Sequence, residues 1–291
     1  MNFESEAKSI SRQVENILNC AGIFFRIFHR GKSLGSLQQK MQKSPGKYGD
    51  GKKIQDIVGI RICLYFSDDI DLAKELVCKK FKYSEESSSI DLPEKTQFGP
   101  TRYNLIFSIP EDISRSMSLP QSLERIIDET FELQIRTILS EGWHEVEHDL
   151  RYKFPNDWAN DDWASRAFNG VFASLETSEW TMLKILDDQA HSNYKSGNWA
   201  AMIRSKFRLR FTDHSLDPLL ARWLSESPTA AKNLFRASRS DMLEYILSIG
   251  NMPVTMNNLV YLYNIRIAKD PRILEITPKY LTRLVESRAS H

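Results

Sequence analysis

The chain has 291 residues, with 39 basic against 38 acidic side chains and a formal net charge of +1. Hydrophobic residues make up 41% and charged residues 26%, which suits a globular protein with a sizeable core and excludes a bulk-basic nucleic-acid binder, though not a local cationic pocket. Cys20, Cys63 and Cys78 are too few and scattered for a disulfide framework or zinc site, residues 1–12 are too polar for a signal peptide, and no apolar run can span a bilayer, so a cytoplasmic, non-membrane protein is expected.

Residues 3–28 carry apolar positions at helical spacing, including Ile10, Val14, Leu18, Ile23 and Ile27. A short helix is expected over 33–43, with Ser33 as its N-cap, followed by a Gly- and Lys-rich loop over 44–51. Residues 57–66, IVGIRICLYF, are almost continuously apolar and rich in β-branched side chains, the pattern of a strand buried on both faces. A helix capped by Ser67, Asp68 or Asp69 follows, running to about Lys80. Residues 103–109 and 131–138 alternate as strands. The pattern then turns helical from Leu139 to Tyr152, and a long amphipathic helix is expected over 161–194.

The break at Ser196, Gly197 and Asn198 divides the chain into an α/β domain, 1–197, and an all-α domain, 198–291. The second part reads as short helices punctuated by Pro and Gly, without a fixed-period repeat. Its basic positions Arg204, Lys206, Arg208 and Arg210, beside Phe207 and Phe211, read either as an RNA or partner surface or as a solvated face over a packed aromatic stripe.

Three segments carry chemistry. In Glu132–Thr137 (ELQIRT), strand alternation points Glu132, Gln134 and Arg136 one way and Leu133 and Ile135 the other. A carboxylate, an amide and a guanidinium on one face can bind a metal, a sugar hydroxyl and a phosphate, or can simply be solvated. Asp56, before the apolar strand, is either a turn residue or a Mg²⁺ ligand, since Mg²⁺ favours one or two carboxylates plus phosphate oxygens. Arg61 lies inside that strand, where a charge needs either a salt-bridge partner or a ligand. Residues 30–40, RGKSLGSLQQK, put Arg30, Lys32, Ser33 and Lys40 around a helix start, where free amides and the dipole attract phosphate. The segment is not a P-loop.

Four blocks occur in order: RGKSLGSLQQK, DIVGIR, ELQIRT and WHEVEHDLRYK. Together they resemble the RelA/SpoT synthetase family, and its small and toxic small alarmone synthetases in particular, over about residues 20 to 190. The resemblance implies a nucleotidyltransferase-like α/β fold with a mixed sheet of about five strands flanked by helices, followed by a helical extension. It implies an ATP-dependent pyrophosphokinase that moves the β,γ-diphosphate of ATP to the 3′-hydroxyl of GTP or GDP and releases AMP.

It also implies roles for single residues. Arg30 and Arg61 would sandwich adenine, and Lys32, Ser33 and Lys40 would bind the phosphates of ATP. Asp56 and Glu132 would hold Mg²⁺, with Glu132 accepting the proton of the attacking hydroxyl. Gln134, Arg136 and His148 would line the acceptor or phosphate side. The family's acceptor-loop tyrosine falls on Thr101, so Phe98 or Tyr103 is expected to supply the ring that covers the acceptor base, Tyr103 being otherwise a core residue. This departure leaves an adenine nucleotide or the 3′ end of tRNA open as acceptor, the latter fitting a toxin or anti-phage effector, and a non-catalytic binding module is the remaining reading. A homo-oligomer is a further expectation.

Overall fold

The computed structural model describes residues 3–43, 48, 53–91, 102–115, 117, 121–250 and 252–289. The chain forms two compact units, one of residues 1–17 with 25–179 and the other of residues 18–24 with 180–291.

In the first unit, α1 (Glu4–Ala21) is followed by β1 (Phe25–Gly31), α2 (Leu34–Lys43), β2 (Val58–Leu64), α3 (Ile70–Lys80), β3 (Tyr83–Asp91) and β4 (Arg102–Ser108). Two single-turn helices, α4 (Glu111–Ser114) and α5 (Gln121–Glu124), lead to β5 (Thr130–Thr137). After it come α6 (Ile138–Glu147), a π-helical turn at His148–Tyr152, α7 (Pro155–Trp158) and α8 (Asp162–Lys195). The division between the units falls inside α8.

The five strands form one mixed sheet in the order β1-β2-β5-β4-β3. Only β2 and β5 are parallel, and the other neighbours are antiparallel. Ile60, Ile62, Leu133, Ile135, Leu105 and Phe107 are buried on one face, where α3 contributes Leu72, Ala73, Leu76 and Val77. The Phe131 ring packs against Phe81 at 5.2 Å and Phe107 at 5.3 Å between centroids, so aromatic contacts add to the area buried.

Three expectations need correction. The helical periodicity of residues 3–28 ends at Ala21, and residues 25–31 form a strand. Gly22, at φ +68°, takes the left-handed turn that stops the helix. The strand β3 was not anticipated: YSEESSSID has no apolar alternation because it forms a sheet edge. Finally, β2 is not buried on both faces, since Gly59 and Arg61 are only half-buried on the face opposite the core.

The start of α1 packs tightly against the end of β1. A Cβ on Gly31 would lie 2.1 Å from the backbone carbon of Phe3, so this close approach requires glycine. The Glu4 carboxylate accepts from the Gly31 amide at 2.8 Å, fixing the chain just before Lys32.

The second unit is helical in its C-terminal part: α9 (Trp199–Phe207), α10 (Pro218–Glu226), α11 (Pro228–Arg236), α12 (Arg239–Ile249), α13 (Met256–Tyr263), α14 (Pro271–Ile276) and α15 (Lys279–Ala289). Pro218, Pro228 and Pro271 each begin a helix, where the missing amide costs nothing. Phe207, Phe211 and Arg208 are buried, so the aromatic stripe belongs to the core and the basic positions do not form one exposed row. Among the described residues, no helix is long and apolar enough to cross a membrane.

Candidate active site

The polar face of the sheet is built by register. Arg30 pairs with Gly59 and Phe28 with Arg61 across the antiparallel β1–β2 ladder. Gly59 then pairs with Glu132 and Arg61 with Gln134 across the parallel β2–β5 ladder. Paired residues share a face, so Phe28, Arg30, Arg61, Glu132 and Gln134 stand together. They line a cavity of about 590 Å³. Lys32, Asp56, Glu145, His148, Asp149 and Lys153 join them in its wall.

Asp56 is the hub of the cationic end. Its carboxylate takes an ion pair from Lys32, and Lys40 donates to its two oxygens at 2.9 and 3.0 Å. Ser33 Oγ accepts from the Ser36 amide at 3.3 Å, the expected N-cap that starts α2 and turns Lys40 toward Asp56. Burial alone would raise the Asp56 carboxyl, but the two lysines outweigh it and hold it below the usual range. Burial also works against Lys40, yet its bonds to Asp56 keep it above its ordinary value. Lys32 is pulled down by its own burial and by Lys40, even with Asp56 in contact. Two cations thus share one anion, and the positive excess suits phosphate.

Glu132 behaves oppositely. Burial, and then the nearby charge of Asp56, push its carboxyl up. Gln134 donates to Glu132 at 3.3 Å and accepts from Arg61 Nε at 2.9 Å, which ties the row together along the sheet.

Arg61 is more heavily engaged than expected. Besides Gln134, it bonds Glu141 and Glu145 of α6. Glu141 also accepts from Arg136 at 2.9 Å, so one half-buried carboxylate joins guanidinium groups from two neighbouring strands. A capping box starts α6, with Thr137 and Ser140 each satisfying the other's backbone amide. That start carries Glu141 back over β2 and β5. Neither Glu141 nor Glu145 stood out in the sequence, because a helical Glu pair four residues apart reads as a solvated face.

The remaining expected residues divide. His148 lines the cavity, its Nδ1 donating to Asp149 at 2.9 Å and its ring stacking on the exposed Tyr152 ring. Arg136 shares the face of Glu132 but is held by Glu141 outside the cavity lining. Ser33 and Lys40 also lie outside the lining, and Lys40 reaches the site through Asp56. Tyr103 is a correction. It pairs with Ile135, on the core face of the sheet, and its hydroxyl donates to Asp71 at 2.9 Å. It cannot cover an acceptor base beside Gln134. Phe98 and Thr101 lie outside the described residues.

Residues 29–157 match the family described as a region found in RelA/SpoT proteins, a span that takes in every block of this face. These residues are thus similar to the RelA/SpoT region. A curated relative, the GTP pyrophosphokinase YjbM of Bacillus subtilis, is 27% identical over 128 residues, 43% of this chain and 55% of the relative, so the match spans about half that relative's length. The crystal structure of small alarmone synthetase 1 from Bacillus subtilis resembles this chain with a TM-score of 0.47 and 21% identity, over 63% of this chain and 91% of that one. A GTP pyrophosphokinase family protein from Streptococcus pneumoniae does so with a TM-score of 0.49 and 20% identity, over 64% and 90%.

Proposed function

We propose that this RelA/SpoT region is a pyrophosphokinase that transfers the β,γ-diphosphate of ATP to the 3′-hydroxyl of a guanine nucleotide and releases AMP. The observation that carries the reading is the pairing of two opposite electrostatic settings on one cavity wall. Lys32 and Lys40 supply a positive excess around Asp56, and Glu132 beside them is a carboxylate whose proton is held more tightly than usual. The first suits a polyphosphate, and the second a group that takes a proton from an alcohol. The family match, and the relative named a GTP pyrophosphokinase, support guanine as the acceptor base.

Asp56 and Glu132 fit a Mg²⁺ ion. The upward push on half-buried Glu132 from the charge of Asp56 is what a divalent cation would relieve, and two carboxylates suffice when phosphate oxygens complete the shell. When bound there, the ion would neutralise developing phosphate charge. The protein's own groups do the rest. Arg30 and Lys32 orient the triphosphate, and Gln134 holds the Glu132 carboxylate toward the cavity. Glu132 takes the proton of the ribose hydroxyl as its oxygen bonds to the β-phosphorus and the bond to the α-phosphate oxygen breaks. Positioning and electrostatics carry most of such a reaction.

The test is incubation with Mg²⁺ and ATP labelled in its γ-phosphate, offering GTP, GDP, ATP or tRNA in turn. Label in a guanine nucleotide with equimolar AMP is expected. Label in tRNA or an adenine nucleotide instead would replace the acceptor, and no transfer to any of them would remove the enzymatic reading.

A further inference from the structure

Phe28 is the one large apolar ring exposed in the cavity wall among the described residues. It is 55% exposed, although a phenylalanine at this place gains nothing from water. Its neighbours in the wall are charged or polar: Arg30, Lys32, Asp56, Arg61 and Glu132. A cavity whose largely charged wall carries one uncovered aromatic face matches a ligand of the same two characters, a planar base joined to a polyphosphate.

The resemblance assigns the adenine contact to Arg30 and Arg61. Here Arg61 is committed to three acceptors, Gln134, Glu141 and Glu145. Phe28 stands directly beside it in register, on the same face of the sheet. We propose that Phe28 is the stacking platform for the base of the donor nucleotide. This rests on the pyrophosphokinase reading and deepens it. The donor is chosen over the acceptor by order along the chain. Phe28, Arg30 and Lys32 are spaced by two residues each, so ring, guanidinium and ammonium follow one line over roughly 13 Å of extended chain. A base set on Phe28 directs its phosphates along β1 toward Lys32 and Asp56.

The experiment compares wild type with Phe28→Ala and Phe28→Trp by calorimetry, using α,β-methylene-ATP, α,β-methylene-GTP and inorganic tripolyphosphate as probes. Stacking is sequence-tolerant and depends on the ring. Phe28→Ala is expected to weaken the ATP analogue roughly tenfold while leaving tripolyphosphate within about twofold. Phe28→Trp is expected to restore binding, with its indole fluorescence quenched by the ATP analogue and not by tripolyphosphate. Equal weakening of both probes, or of neither, overturns the proposal. Selective weakening of the GTP analogue overturns the assignment to the donor. If wild type binds no probe, the pyrophosphokinase reading falls and takes this inference with it. If wild type binds and Phe28→Ala binds equally well, only this inference falls. Because the ring is exposed, truncation leaves the core intact, and an unchanged melting temperature verifies it.

Discussion

The side-chain amide of Gln134 donates to the carboxylate of Glu132 at 3.3 Å, two positions away on the same strand and the same face. Neither residue has freedom to turn toward the core, because Leu133 and Ile135 fill that side completely. The carboxylate proposed as proton acceptor is therefore aimed by the sheet itself.

Replacing Glu132 by Gln keeps the shape and removes the proposed base. AMP release should fall by about 10²- to 10⁴-fold, with binding of an ATP analogue within a few-fold of wild type. The pH behaviour has a definite sign. The folded-state carboxyl sits above its usual 4.5, so the native protein holds this proton to higher pH than the unfolded chain. Stability contributed at this position therefore falls as pH rises through the window above 4.5. Glu132→Gln should melt higher than wild type at neutral pH, the gap closing in acid. A variant melting lower at neutral pH would contradict a carboxylate disfavoured by its burial and by Asp56.

Removing Glu141 uncouples two arginines. Arg136 is already disfavoured by its burial and by the charge of Arg61. With Glu141→Ala, Arg136 loses this ion pair while Arg61 keeps Glu145 and Gln134. Fully buried pairs cost more when broken, and this one is partly exposed, so a loss of roughly 1–3 kcal/mol is expected in chemical denaturation. Arg136→Met should make the Glu141→Ala cost much smaller, and a double-mutant cycle measures that coupling.

His144 gives the first unit a sensitivity to acid. It is buried, and Nε2 has no hydrogen-bond partner among the described residues. Burial, then Arg136, Arg102 and Arg61, hold it down at about 3. The unfolded chain titrates near 6.5, so between those values it binds a proton that the folded protein refuses. Stability is then full above pH 6.5 and declines as pH falls toward 3, by up to about 1.4 kcal/mol per pH unit. His144→Phe should flatten that slope in urea titrations run from pH 7 to pH 5. An unchanged slope would mean the ring is solvated.

Tyr103→Phe separates structure from recognition. The bond to Asp71 is lost, at about 1–2 kcal/mol. The KM for the acceptor should not move, because the ring faces the core. A rise of tenfold or more in that KM, measured with GTP varied at saturating ATP, would put Tyr103 back in the site.

The sequence was most legible where periodicity and burial agree. In β5, alternation gave both the strand and the face on which Glu132, Gln134 and Arg136 stand. The long helix α8 was legible for the same reason. At β1, Phe24, Phe25, Ile27 and Phe28 satisfy helical and extended spacing equally, and only the break at Gly22 marks the change. With β1 went Phe28, whose importance depends on a register that no local pattern contains. Glu141 and Glu145 were hidden similarly, since their partner Arg61 lies 80 and 84 residues away along the chain. Tyr103 was legible only in part, since residues 103–109 alternate as a strand while the face that meets the core depends on the pairing with Ile135.

The polar strand β3 has a further consequence for handling the protein. It closes one side of the sheet with Glu85 and Glu86 exposed. Its outer backbone groups would otherwise offer a template for another molecule's strand, and the adjacent negative charges repel a second copy of the same segment. Substituting Val at both positions would convert this border into an adhesive one. Turbidity in concentrated preparations, rather than any change in turnover, would be the first sign.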